Sequence, residues 1–245
     1  MKKIRLDCLV VEKGFAESRE KAKRIILAGS VVFKTDALTK PGMMVSIDLD
    51  ITLKERDKYV SRGGLKIEGF FKDNPFSVKG FKCLDIGAST GGFTDFLLQN
   101  GVEEMVCVDV GYGILHLKLR QNKQVKLFEK VNARALSKAL VGNDFDLIVI
   151  DVSFISLTLI LPAAISLLKK GGLLLCLVKP QFEAGRKFVG KGGVVRSIEI
   201  QKKCVDKIID FGKESSLSFK KYKECVLKGP KGNQEYFCLF EKNNI

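Results

Sequence analysis

The chain has 245 residues, 46% of them hydrophobic and 29% charged, enough apolar material for one large domain or a small module joined to a mid-sized one. That balance, with 23 Gly, 5 Pro and no Trp, excludes disordered, collagen-like and disulfide-scaffold chains. The formal net charge of +14 is peripheral: residues 83–179 carry 10 basic and 9 acidic side chains, so the flanks hold nearly all of the surplus. A neutral middle between basic flanks suits flanks that meet a polyanion and a middle that holds a small molecule, although a lysine-rich surface also simply keeps a protein soluble.

Ser18 is placed to cap a helix whose Ala22, Ile25 and Ile26 share one face and which Gly29 stops. The runs 31–33 and 43–45 predict two small strands packed on two helices, with Arg5, Arg19, Lys23 and Arg24 left outside. Arg5-Leu6-Asp7, Ser18-Arg19, Ile26-x-x-Gly29-x-Val31 and Lys40-Pro41-Gly42-x-x-Val45 together resemble an S4 RNA-binding domain, over residues 1–60 with the connector. The resemblance implies that Arg5 and Arg19, with Lys23 beside them, face RNA. Guanidinium forks on a rigid helical face suit phosphates, which position a protein without reading sequence. Arg24, outside the motif, reads as an ordinary solvated position.

After the charged connector Lys54-Glu55-Arg56-Asp57-Lys58, apolar runs at 81–86, 105–110, 145–150 and 173–178 alternate with helix-like segments at 91–99, 113–121, 133–140 and 153–169. The runs are too short for buried helices. Their alternation predicts an α/β domain, 61–245, built on a doubly wound, mostly parallel Rossmann-like sheet. A longer amphipathic helix at 197–211, then strand-like runs at 221–227 and 236–240, predict an antiparallel hairpin at the sheet's far side. The uncharged stretch 152–168 barely reaches membrane length; Asp151 before it, Pro162 within it and its Ser and Thr make it a buried helix rather than a span.

The turn from Cys83 through Asp85, Gly87, Ser89, Gly91 and Gly92 to Thr94 falls between the first strand of this domain and the next helix, where an open α/β sheet places its ligand. No Gly-Lys-Ser/Thr follows, which excludes a phosphate-gripping P-loop, and Ser89 stands where a dinucleotide fingerprint has its second glycine. Asp85 would repel a pyrophosphate but attract a sulfonium-bearing amino acid, which favours S-adenosylmethionine. Asp109, 22 residues after Gly87 and next to Val110, is placed for both ribose hydroxyls, a role that NAD would share. Val131 and Asn132 are placed to flank the adenine. Gly91 and Gly92 are also what plain turn chemistry requires.

Arg62-Gly63-Gly64-Leu65-Lys66 before the sheet, Asp151-Val152-Ser153-Phe154 after its fourth strand, Lys179-Pro180-Gln181-Phe182-Glu183 after its fifth and Glu235 at the start of its last can all reach the sheet's carboxyl edge. Together they resemble the Lys-Asp-Lys-Glu tetrad of the FtsJ-like ribose 2′-O-methyltransferases. With the S4-like start, the whole chain resembles the TlyA family, ribosomal RNA 2′-O-methyltransferases whose members also carry the label haemolysin. The resemblance implies Lys66, Asp151, Lys179 and Glu235 as the catalytic set, Asp151 also facing the cofactor, S-adenosylmethionine as that cofactor, and ribosomal RNA or ribosomal subunits as partner. In that scheme Lys179 takes the proton of a 2′-hydroxyl as it attacks the methyl in line. Burial and Lys66 depress the base's pKa, and Asp151 and Glu235 orient the two ammonium groups. Holding hydroxyl and methyl in line is expected to contribute on the order of 7–11 kcal/mol, against about 3–5 kcal/mol from the base.

Phe154 and Phe182 flank this site and are available to stack on a base turned out of its helix, core packing being the plainer role. Arg62 and Arg186 complete the RNA-facing set, Arg186 within a Gly-rich segment, 185–193, that reads as a mobile substrate loop or an ordinary solvated one. His116, between Leu115 and Leu117, reads as a packed helix residue rather than a catalyst. Seven cysteines without a Cys-x-x-Cys pair, and a single histidine, point to no metal site and to a reducing cytoplasm. Neither a signal peptide nor an obligate membrane contact is expected. The competing readings are a non-catalytic RNA-binding assembly factor and a membrane-active haemolysin. The intact tetrad speaks against the first, and the lack of a clean span or a basic amphipathic helix with an aromatic face against the second.

Overall fold

The computed structural model describes residues 2–54 and 57–243, and the chain forms two compact units, Met1–Asp57 and Lys58–Ile245. Glu55 and Arg56 of the connector lie outside the described residues.

In the first unit the helices Leu6–Glu12 and Arg19–Leu27 pack with short strands, more of them than the sequence predicts. Lys3–Arg5 pairs antiparallel with Met44–Ser46, and Val31–Phe33 is the centre of a second sheet between Asp36–Ala37 and Ile51–Leu53. Strands of two or three residues carry too little alternation to be read from a sequence. Ser18 caps the second helix by accepting from the Lys21 N–H, and Gly29, at φ +68°, ends it. Ala22 and Ile26 are buried with Leu6, Leu9, Val10, Val31 and Ile51, and Ile25 packs on them partly covered.

One carboxylate shares that apolar core. Asp7 is fully buried and accepts from Arg5 through Nε at 3.1 Å and Nη2 at 2.9 Å, and from Arg19 Nη2 at 3.1 Å. The Arg5 hydrogen bonds, aided by Arg19 and opposed by burial, hold the Asp7 carboxyl well below the usual carboxylate range.

The second unit is built on a seven-stranded sheet. Its strands, in chain order, are Lys82–Ile86, Glu104–Val108, Val125–Phe128, Phe145–Ile150, Leu168–Val178, Leu217–Glu224 and Tyr236–Lys242. In space they run sixth, seventh, fifth, fourth, first, second, third. The first five are parallel to their neighbours among themselves, and the seventh lies antiparallel between the fifth and the sixth. Alternate residues feed opposite faces: Leu84, Ile86, Ile148 and Ile150 belong to one core, Cys83, Leu147 and Val149 to another. This is the doubly wound, Rossmann-like arrangement that the strand and helix rhythm predicts.

Several expected elements are shorter or displaced. The helix expected at 113–121 is reduced to Leu117–Arg120 because Gly113 takes φ +74°. The one expected at 133–140 splits into Ala133–Ala135 and Lys138–Val141, since Leu136 stays extended and buries its side chain. Nor is 152–168 a single helix: it holds a short turn, Leu157–Leu159, the helix Leu161–Leu167 and the first residue of the fifth strand. Pro162 has no N–H to give a longer helix and fits only its first turn. Among the described residues no helix is long and apolar enough to cross a membrane. The sixth strand sits earlier than 221–227, at the sheet edge, where Lys220, Lys221 and Lys223 discourage further strand pairing.

The Asp7 clamp has a pH signature. A lowered carboxyl pKa contributes stability that is fully present above the unfolded-state value of about 3.9 and is lost as pH falls through the folded-state value. Thermal denaturation of the full chain should show Asp7→Asn melting below the wild type at pH 7, with the gap closing below about pH 4.

Candidate active site

The chain leaves the first strand in one direction and returns to the fourth on its other side, which opens a crevice beyond the carboxyl ends of these two neighbours. Gly87 ends the first strand at φ +84°, and a Cβ there would stand 2.5 Å from the Asp151 carbonyl oxygen. Only glycine lets the two strand ends close, with the Asp151 N–H donating to the Ile86 oxygen at 3.0 Å. Gly92 begins the helix Gly92–Gln99, and a Cβ on it would stand 2.7 Å from the Gly64 nitrogen. The ends of this helix and of Arg62–Asp73 therefore meet backbone to backbone, which brings Lys66, one turn into Arg62–Asp73, to the crevice.

Lys66 Nζ lies 2.6 Å from Glu235 Oε2, and both side chains are buried. Lys179 Nζ lies 2.7 Å from Asp151 Oδ1 and donates to Ser153 Oγ at 3.0 Å. Burial works against the Lys66 charge, yet the nearby Asp151 carboxylate and the Glu235 hydrogen bond prevail and raise its pKa above the ordinary lysine value, so it is a standing ammonium. All four tetrad side chains line one cavity of about 410 Å³, together with Asp85, Gly87, Ser89 and Gly92.

Asp85 is buried; its Oδ2 accepts from the Thr94 hydroxyl at 2.7 Å, and its Oδ1 has no hydrogen-bond partner among the described residues. Burial, which Thr94 offsets only in part, and the neighbouring carboxylates Asp151 and Asp109 push its pKa up to about 7. A cationic group entering the cavity would satisfy the orphaned oxygen.

A second cavity of about 370 Å³ shares Gly87, Ser89, Asp151 and Ser153 with the first and continues past Asp109, Val110, Val131 and Asn132. Asp109 accepts the Ser89 N–H on Oδ2 and the Gly111 N–H on Oδ1, both at 2.7 Å, so it fixes the turn and keeps lone pairs for a ligand. Asn132 accepts from the Arg134 N–H at 3.0 Å. Gly91 departs from its expected cofactor contact. It lines neither cavity, and a Cβ on it would strike Leu119 at 2.2 Å and Leu115 at 2.8 Å, so packing and its φ of +95° account for the glycine.

A third cavity, about 460 Å³, opens beyond Lys179 and Glu235. Phe154 stands at its edge outside any core, 90% exposed and held at φ +65°, with its ring 5.2 Å from that of Phe182. A bulky residue in the left-handed region is uncommon and concentrates at functional sites. Buried Glu183 accepts from Ser156 Oγ at 2.6 Å and the Leu157 N–H at 2.7 Å, and pairs with Lys207 at 2.9 Å. It thereby ties the Phe154 loop to the segment that carries Lys179. The Gly-rich segment is anchored at its far end, where Asn233 donates to the Gly193 oxygen at 2.8 Å and accepts from the Val195 N–H at 2.9 Å.

Among the other expected site residues, Arg186 is exposed, Arg62 is exposed and donates to the Lys228 oxygen at 3.1 Å, and Lys23 pairs with Glu20 at 2.6 Å. His116 is not packed. It is exposed and caps Leu117–Arg120, its Nδ1 accepting from the Lys118 N–H at 3.2 Å. All seven cysteines are free, six of them buried. Among the described residues no cluster of metal-ligating side chains occurs. Sequence reading passed over Thr94, Ser153, Gln181, Glu183 and Asn233. The first four stand inside the quoted motifs, but the partners of Ser153 and Glu183 lie on other segments, and a run of residues does not show that Thr94 reaches Asp85 or that the Gln181 oxygen is left without a partner.

The family pattern described as FtsJ-like methyltransferase matches residues 59–242. TlyA, a 16S/23S rRNA (cytidine-2′-O)-methyltransferase of Mycobacterium tuberculosis, is 39% identical across 96% of this chain and 89% of that protein. The chain belongs to the TlyA family of FtsJ-like methyltransferases. Its cofactor is S-adenosylmethionine. Hemolysin A of Brachyspira hyodysenteriae is 40% identical across 97% of this chain and 99% of that protein. A solved structure from Streptococcus thermophilus, provisionally named a hemolysin, aligns with TM-score 0.75 at 41% identity, over 100% of this chain and 90% of that one. Magnesium protoporphyrin IX methyltransferase of Synechocystis PCC 6803 with bound S-adenosylmethionine shares the fold alone, with TM-score 0.51 at 11% identity over 74% of this chain and 79% of that one.

The raised Asp85 pKa predicts pH-dependent binding of a cationic ligand in this cavity. Its carboxylate is charged above about pH 7 and neutral below, so calorimetric titration with S-adenosylmethionine should show affinity falling by up to about tenfold per pH unit below 7. Asp85→Asn should remove the dependence and bind more weakly at pH 8. The free protein should behave oppositely: the raised folded-state pKa makes the wild type lose stability, relative to Asp85→Asn, as pH rises from about 4 to about 7.

Proposed function

We propose that this protein methylates the 2′-hydroxyl of cytidine in ribosomal RNA, with Lys179 as the base and Lys66, Asp151 and Glu235 completing the catalytic set. The observation that carries the reading is the meeting of two lysine–carboxylate pairs, Lys66–Glu235 and Lys179–Asp151, drawn from four chain segments, between a cavity suited to a sulfonium cofactor and one open to a nucleotide. Cytidine is the nucleoside in the names of the TlyA relatives from Mycobacterium tuberculosis and Campylobacter jejuni.

When bound, S-adenosylmethionine supplies an electrophilic methyl on a positively charged sulfur. Asp85, Gly87, Ser89 and Gly92 hold its amino-acid end, and Asp109, Val110, Val131 and Asn132 its adenosine. Asp151, shared by both cavities, lies where the reacting centre falls. For the hydroxyl oxygen to bond to the methyl carbon as the methyl–sulfur bond breaks, Lys179 would have to stand as the neutral amine, its ammonium proton given up beforehand to solvent, and its Nζ would then take the hydroxyl proton. Asp151 and Ser153 keep that nitrogen in place, and the Lys66 ammonium, held by Glu235, stabilises the charge developing on the oxygen. Positioning carries most of the rate, so loss of the base leaves a remainder.

The first unit, Met1–Asp57, serves as an S4-type RNA-binding module, with Asp7 presenting the Arg5 and Arg19 guanidinium groups and Lys23 on the same helix as Arg19. Arg62 and Arg186 extend the phosphate contacts on the methyltransferase unit, and Phe154 and Phe182 stack on a base drawn out of its helix. A ribosomal substrate places the work in the cytoplasm, the compartment that free cysteines favour.

Labelled methyl transfer to unmodified ribosomal subunits, followed by nuclease digestion and mass spectrometry, should yield 2′-O-methylcytidine. Lys179→Ala should lower the rate by about 10²–10⁴-fold with cofactor binding retained. Phe154→Ala should raise KM for RNA and leave the cofactor Kd alone. A wild-type protein that binds S-adenosylmethionine yet transfers nothing to either subunit would overturn the reading.

A further inference from the structure

We propose that Gln181 recognises the target base by accepting a hydrogen bond from its exocyclic amine, an inference that rests on the reading of the site as a cytidine 2′-O-methyltransferase. A nucleotide whose ribose meets Lys179 has its base at the third cavity, which Phe154, Phe182 and Gln181 line. Most polar groups around that cavity are already committed. The Asn233 amide is spent on Gly193 and Val195, Glu235 on Lys66, and Lys179 on Asp151 and Ser153.

Gln181 differs, because its side-chain oxygen Oε1 is buried and has no hydrogen-bond partner among the described residues. Folded proteins leave few such acceptors, and each one asks for a donor that the free protein does not contain. The backbone beneath it is fixed. Gln181 lies in the short helix Pro180–Glu183, which starts directly after Lys179 and which Glu183 clamps to Ser156, Leu157 and Lys207. The Gln181 side chain lines the same cavity as Lys179.

An orphaned acceptor selects a donor. Among pyrimidines cytosine offers an amine at position 4 and uracil a carbonyl oxygen, so a Gln181 amide held with its oxygen on that position pairs with cytosine and repels uracil. The amide nitrogen of the same side chain suits the neighbouring ring nitrogen, giving the two-point contact that glutamine makes with adenine in nucleic acids.

The test maps the target cytidine in unmodified ribosomal subunits, then offers RNA carrying C or U at that position to the wild type, Gln181→Leu and Gln181→Glu. The wild type should methylate C at least about tenfold faster than U. Gln181→Leu should lose roughly ten- to a hundredfold of the C rate and most of the C-over-U preference, with cofactor Kd unchanged and melting temperature equal or higher, because the unpaired oxygen is gone. Gln181→Glu, which keeps an acceptor for the amine but loses the donor to the ring nitrogen, should keep only part of the C rate and of the preference. A Gln181→Leu protein with wild-type rate and preference overturns this proposal alone, as does one that simply melts lower and binds the cofactor less tightly. A wild type that makes no 2′-O-methylcytidine removes the reading beneath and this proposal with it.

Discussion

The ion pair between Lys66 and Glu235 joins residues 169 positions apart, and the architecture of the site depends on it. It ties the helix Arg62–Asp73, which precedes the sheet, to the seventh strand, which completes it. Withdrawing two charges from water is expensive, and a pair of this kind adds little net stability compared with apolar residues of the same shape. Removing one partner is another matter, since it strands the other charge in a buried position. The pair is better understood as a device that fixes a cation in the cavity that Lys179 also lines than as a source of stability.

Around it the backbone is drawn together by absent side chains. Gly87 lets the first and fourth strands end against each other, and Gly92 lets two helices meet end to end. The charged groups then arrive from four directions at one edge of the sheet without long connections. Glu183 and Asn233 do the corresponding work on the substrate side, each buried and each spending its polar atoms on a neighbouring segment. The reacting groups are thus held by a surrounding layer of buried hydrogen bonds, which is how a site keeps its geometry without ligand.

Much of this was legible in the sequence because the chemistry sits in short runs at strand ends. Asp85 with Gly87, Asp151, and Lys179 each follow or end an apolar run, and a parallel sheet carries all such ends to one edge. Glu235 was legible only through family resemblance, since a lone carboxylate before a strand says nothing by itself. Helix lengths were misread where a single residue overrode the pattern, as Gly113 and Leu136 did. Gly91 was taken for a ligand contact because sequence cannot tell a glycine that clears room for a cofactor from one that clears room for Leu119. His116 went astray for a similar reason: apolar neighbours in the chain do not tell whether a side chain is covered in space. Ser153, Thr94 and Gln181 have ordinary identities, and only the partner found or missing in the folded chain marks them out.

The seventh strand runs against its neighbours, and this reversal has a consequence for biosynthesis. A parallel strand reaches the reactive edge at its end, but an antiparallel strand enters the sheet there, so Glu235 takes its place just as that strand begins. It is also the last of the tetrad to be synthesised, and the strand that seats it docks between two others already made. A nascent chain therefore holds Asp85, Asp151, Lys179 and the whole first unit before the Lys66 ammonium has a partner. The Lys66–Glu235 pair, and with it the cavity that both side chains line, is complete only once that strand has docked.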